Sequence, residues 1–107
     1  MTLNEYQKLA IELAFWEHDD LEYNALAIAG EAGEVADHVK KMKRDDDNVL
    51  TPERKEILIK ECGDVLFYLA SMARRLDVSL EEVAKMNIWK IKDRAARGTQ
   101  HGSGDNR

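Results

Sequence analysis

Apolar residues recur along the chain at three- and four-residue intervals, no alternating β-branched run occurs, and the sole proline is Pro52, so the pattern predicts helices throughout. Four are expected. The first spans about Leu3 to Glu17, with Thr2 and Glu5 as a capping pair and Leu3, Tyr6, Leu9, Leu13 and Trp16 as its apolar stripe. HDDLEY then interrupts the periodicity. The second helix runs from about Asn24 to Lys43 and stops in the polar loop RDDDNVL. Thr51 as N-cap and Pro52 at the first helical position, where its missing N–H costs nothing, open a third helix that continues to about Leu76. Ser79 and Glu82 form a capping box for the fourth, which ends near Ala95. This predicts an all-α bundle of four to five helices over residues 1–96, followed by a polar, glycine-rich tail at 97–107.

The stripes of the second and third helices contain acids. EAGEV at 31–35 and ECGDV at 61–65 are two copies of one phrase. At about 100° per residue, Glu31 shares a face with Asn24, Ile28, Val35 and His38, while Glu61 lies among Ile57, Leu58, Val65 and Tyr68. Both acids sit inside an apolar stripe, with Glu34 and Asp64 on its edges. Two long helices joined by a short loop pack antiparallel, which brings all four carboxylates to one region. Unpaired carboxylates there would be costly, and a divalent cation is their natural partner. No Glu-x-x-His pair of the di-iron type occurs, although His38 lies at i+4 from Glu34. All-oxygen ligation favours Mg²⁺ or Mn²⁺, and Mg²⁺ commonly completes its shell with substrate phosphate. On the fourth helix Asn87, Lys90 and Arg94 share a face with Leu80, Val83, Ala84 and Ile91, an inward basic set suited to phosphate.

Composition narrows the partners. At 107 residues the chain suits one domain, and a net charge of −5 disfavours a general nucleic-acid binder. The single cysteine, Cys62, forms no intramolecular disulfide, and no stretch is long or apolar enough for a signal peptide or membrane span, so a cytoplasmic setting is expected. A second apolar strip on the third helix, Ile59, Cys62, Leu66 and Ala73 with Phe67 beside it, exceeds what a small bundle can cover and points to a homo-oligomer. Gly33 and Gly63 fall on the face away from the acids, where close packing by another helix would explain them.

The ordered set Glu31-x-x-Glu34, Glu61-x-x-Asp64 and NIWKIKDR, together with the ending RGTQHGSGDNR, resembles the MazG-like all-α nucleoside triphosphate pyrophosphohydrolases of the small single-domain type. The resemblance implies Mg²⁺-dependent hydrolysis of ribo- or deoxynucleoside triphosphates to monophosphate and pyrophosphate, a house-cleaning activity on nucleotide pools, in dimers or tetramers whose sites draw on neighbouring chains. It implies metal ligation by Glu31, Glu34, Glu61 and Asp64 and phosphate contact by Asn87, Lys90 and Arg94. It assigns no role to His38 or Cys62. Glu34, on the stripe edge open to solvent, is the expected general base. Trp16 suits base stacking, although a tryptophan on such a stripe also serves as core. His38 near an acid is expected to be hydrogen-bonded, Lys40, Lys41 and Asp45 to Asp47 to be solvated, and the tail to order only against phosphate or another subunit. Two readings of other classes compete: a helical protein-interaction module of regulatory or antitoxin-like type, and a structural metal-binding bundle without catalysis.

Overall fold

The computed structural model describes residues 1–14, 20–98, 102 and 104. Among them are four helices, α1 (Leu3–Glu12), α2 (Leu21–Asp45), α3 (Pro52–Arg75) and α4 (Leu80–Arg97), and no strand. The all-α expectation therefore holds. α1 ends at Glu12 with Leu13 as its C-cap, short of the expected Glu17, and Phe15, Trp16 and Glu17, with them the expected stacking aromatic, lie outside the described residues.

Helix ends follow local capping chemistry. α2 begins three residues earlier than its apolar periodicity suggests, because Asp20 accepts from the Tyr23 backbone N–H at 2.7 Å. Asp20, Leu21, Glu22 and Tyr23 thus start the next helix. Thr51 caps α3 through the Arg54 N–H at 3.1 Å, and Ser79 and Glu82 make the expected capping box. α4 passes Ala95 and stops at Gly98, whose φ of 68° is the left-handed conformation that glycine adopts without a Cβ penalty. In the α2–α3 loop Asp47 and Asn48 take φ of 53° and 58°, a region open to short polar side chains that can hydrogen-bond locally.

α2 and α3 are antiparallel. Near the loop Arg54 Nε meets Asp46 Oδ2 at 2.8 Å, midway His38 Nε2 meets Glu61 Oε1 at 3.3 Å, and at the far end the Tyr23 and Tyr68 rings lie 6.5 Å apart. α1 packs on α3 and α4 at the corner where the chain reverses, and there Gln7 joins three backbone segments. Its amide donates to the Ala70 and Val78 carbonyls, both at 3.2 Å, and accepts from the Leu80 N–H at 3.0 Å. Asn4 accepts from the Glu81 N–H at 3.1 Å, and Ser79 from the Glu82 N–H at 3.1 Å. The first three amides of α4, which have no partner within their own helix, are all satisfied this way.

The core is small. Among the described residues Ala10, Ala70, Ala73 and Leu80 are the buried apolar ones, whereas Leu26, Ile59, Met86 and Trp89 are each more than 60% exposed. The radius of gyration is 16.5 Å, against about 13 Å for a compact chain of this length. The second strip on α3 is only partly open: Ala73 is buried, and Phe67 lines a small recess with Ala10, Ile11 and Ala14 of the α1 segment, while Ile59 and Cys62 stay exposed. The packing explanation for the glycines fails within the chain. A Cβ at Gly33 or Gly63 would meet no atom within 4 Å, so no neighbouring helix packs closely at either position.

Candidate active site

The antiparallel register brings the acids of both phrases together. Carboxylate oxygens of Glu31, Glu61 and Asp64 lie within 4.8 Å of one another, and a second group, Glu34, His38 and Glu61, meets the same limit. Glu61 belongs to both. Glu31 and Glu61 are partly buried, and Glu34 and Asp64 are exposed, matching the central and edge positions that the helical spacing predicts. Such separations allow one small cation to touch several oxygens, and the donor set is the hard, all-oxygen type that Mg²⁺ and Mn²⁺ prefer.

Electrostatics register the crowding. Burial first, and then the charges of Asp64, Glu61 and Glu34, raise the Glu31 carboxyl pKa above its ordinary value. Two tyrosines extend the effect. Burial and then Asp64 raise the Tyr6 phenol, and burial, Tyr23, Glu31 and Asp64 raise Tyr68. These phenols border the acids. Spacing alone puts Tyr68 on the Glu61 face, but Tyr6 arrives from α1, and only tertiary packing shows it.

His38 is hydrogen-bonded, as expected for a histidine beside an acid, and its partners extend further than the sequence suggests. Nε2 faces Glu61 at 3.3 Å, and Nδ1 faces Arg54 Nη1 at 3.3 Å. Arg54 also binds Asp46, so Asp46, Arg54, His38 and Glu61 form one polar chain along the α2–α3 seam. Asp46 is therefore not merely a solvated loop acid. Lys40 and Lys41 both pair with Asp37, at 2.6 and 2.8 Å, on the outer face of α2.

The basic set of α4 is placed differently. Asn87 and Lys90 line an open groove of about 600 Å³ with Leu76, Val78, Val83, Met86 and Trp89, and none of the four acids borders it. α4 makes no helix-to-helix contact with α2 among the described residues. Arg94 is buried, and its Nη2 donates to the Gly104 carbonyl of the tail at 3.2 Å. Trp89, 67% exposed at the groove, carries an aromatic surface that helical periodicity does not single out.

Fold and site together define an all-α protein whose helical hairpin pairs carboxylates across its seam, and sequence comparison identifies the family. The profile of the MazG nucleotide pyrophosphohydrolase domain matches residues 20–98, and the chain belongs to that family. It is 46% identical over 89 residues to the "Gene 37 protein" of Mycobacterium phage L5, covering 83% of this chain and 78% of that protein. No solved structure matches it significantly. Members of the family typically use a divalent metal, and the Glu31, Glu61 and Asp64 oxygens suit one. No helix among the described residues is long and apolar enough to cross a membrane.

Proposed function

We propose that the protein is a Mg²⁺-dependent nucleoside triphosphate pyrophosphohydrolase, releasing pyrophosphate and a nucleoside monophosphate in nucleotide-pool house-cleaning. The observation that carries this reading is the convergence of Glu31, Glu61 and Asp64 across the α2–α3 seam in a chain of the MazG family. Glu31, Glu34, Glu61 and Asp64 hold the cation, with Mn²⁺ as a substitute. A bound divalent cation would polarise the phosphates and make an adjacent water more acidic. Glu34, the exposed member, is the base that accepts the proton of the water attacking the α-phosphorus. Asn87, Lys90 and Arg94 bind the phosphates and offset charge on the departing pyrophosphate.

In this reading the α4 residues act on the acids of a second copy, and the tail moves off Arg94 when phosphate binds. The exposed apolar surface of α4 and the absence of α2–α4 contact among the described residues support an oligomeric enzyme. The test is incubation with a panel of ribo- and deoxynucleoside triphosphates, with and without Mg²⁺, and identification of the phosphate released. Metal-dependent pyrophosphate is expected. Orthophosphate, or no metal-dependent product from any nucleotide, would overturn the assignment.

A further inference from the structure

Of the polar chain from Asp46 to Glu61, only Glu61 has a role above. Its side chains are sheltered but not sealed, with 14% of Arg54, 18% of His38, 19% of Asp46 and 20% of Glu61 exposed. An arginine Nη always carries hydrogen and never accepts. The His38 nitrogen that faces Arg54 must therefore be the acceptor, which leaves the ring hydrogen on Nε2, pointing at Glu61 Oε1. Asp46 fixes the other end by holding Arg54 Nε.

This order of donors settles how His38 takes part in the acidic cluster. A histidine that binds a metal through Nε2 needs its hydrogen on Nδ1, and Arg54 Nη1 already occupies that side with a hydrogen of its own. His38 is thus a poor ligand despite lying within 4.8 Å of Glu34 and Glu61. It is well placed to donate.

We propose that His38, locked by Arg54, is a positioning residue that occupies Oε1 of Glu61 and thereby presents the remaining oxygen of Glu61 toward Glu31 and Asp64. The inference rests on the reading of Glu61 as a metal ligand. Outer hydrogen bonds of this kind orient ligating carboxylates, and their loss typically weakens metal binding about 10- to 100-fold.

The experiment is calorimetric titration of the nucleotide-free full chain with Mn²⁺, alongside turnover measured against Mg²⁺ concentration. His38→Ala is expected to weaken Mn²⁺ binding roughly 10-fold and to raise the half-saturating Mg²⁺ concentration similarly, with kcat at saturating Mg²⁺ changed less than about 3-fold. His38→Gln, whose amide can donate to Glu61, should recover most of the loss. Arg54→Met gives the sharpest sign. Removing a cation and leaving Asp46 bare should tighten cation binding through the field alone, whereas loss of the lock on His38 should weaken it.

Wild-type affinity in His38→Ala, a His38→Gln variant as weak as His38→Ala, or tighter binding in Arg54→Met would each overturn the positioning role. If Arg54→Met loses its cooperative melt, the two His38 variants still decide. A wild-type chain that binds no Mn²⁺ overturns the metal-site reading and the inference together. A wild-type chain that binds it, with variants indistinguishable from it, removes the inference alone.

Discussion

Glu31 sits where burial and three neighbouring carboxylates oppose its charge, and this has a measurable sign. A carboxyl whose folded pKa exceeds its unfolded value binds its proton more tightly in the folded state. Its stabilising contribution is complete below the unfolded pKa and is lost as pH rises through the folded one. Asp37 and Asp45 act in the opposite sense, since hydrogen bonds from Lys40 and Lys41, and from Arg44, hold their carboxyls below the usual range. The comparison that isolates Glu31 is wild type against Glu31→Gln in a chelator. As pH rises above the ordinary carboxyl value of 4.5, the wild-type melting temperature should fall relative to the variant, and a divalent cation should reverse the difference. Equal pH profiles in differential scanning would show that the acids do not repel one another in solution. Glu61→Ala should keep the fold while losing at least about 100-fold in Mg²⁺-dependent turnover, because it removes the carboxylate shared by both clusters. A variant that retained turnover would exclude Glu61 as a ligand. Spacing alone makes the positions of these acids legible, since a carboxylate inside an apolar stripe on each of two adjacent helices is hard to place otherwise. The Arg54–His38 contact is not legible, because it depends on the rotation of one helix against the other.

The helices owe their ends to side chains nearby in sequence and their arrangement to a few that are not. Thr51, Pro52, Ser79 and Glu82 announce their helices locally, and the structure uses each as capping chemistry requires. Gln7 carries no such signal. It is a polar residue on an amphipathic helix, yet it is buried at 8% exposure and joins the end of α3 to the start of α4 through three hydrogen bonds. Gln7→Leu would leave the Ala70 and Val78 carbonyls and the Leu80 amide without that partner. Allowing for relaxation, the expected cost is about 2–4 kcal/mol, on the order of a 15 °C fall in Tm for a domain of this size. Circular dichroism melts check this, and a shift of only a degree or two would mean that water replaces the amide. The same corner explains why α4 is less legible than α2 and α3. Its apolar residues Val83, Met86, Ile88, Trp89 and Ile91 follow helical periodicity but remain substantially exposed, while the hydrogen bonds from α1 reach α4 at its first turn, on Leu80 and Glu81. Periodicity reports that a face is apolar and leaves open which surface covers it.

At the scale of the whole molecule, the acids and the α4 basic residues pose a problem that one chain does not solve. Glu31, Glu34, Glu61 and Asp64 converge on the α2–α3 seam, while Asn87 and Lys90 line a groove on α4 and the turn before it that none of those acids borders. The extended radius of gyration and the exposed apolar face of α4 suit a second copy packed there, as the family resemblance implies. Sedimentation should then show an oligomer at micromolar concentration, and Trp89→Glu should shift it toward monomer. A sharper expectation concerns the site itself. If α4 of one chain serves the acids of another, Glu61→Ala and Lys90→Ala are each inactive alone but damage different halves of a shared site. Co-refolding the two variants places one intact pair, unmodified Glu61 of one chain facing unmodified Lys90 of the other, in every mixed dimer. With random pairing, half of the dimers are mixed and each has one complete site of two, so activity should return to about a quarter of the wild-type value. Sites built within single chains give no recovery, because every site in the mixture then lacks one of the two residues. The mixing assay therefore separates a shared site from a self-contained one whichever nucleotide the enzyme prefers, provided that one substrate is turned over.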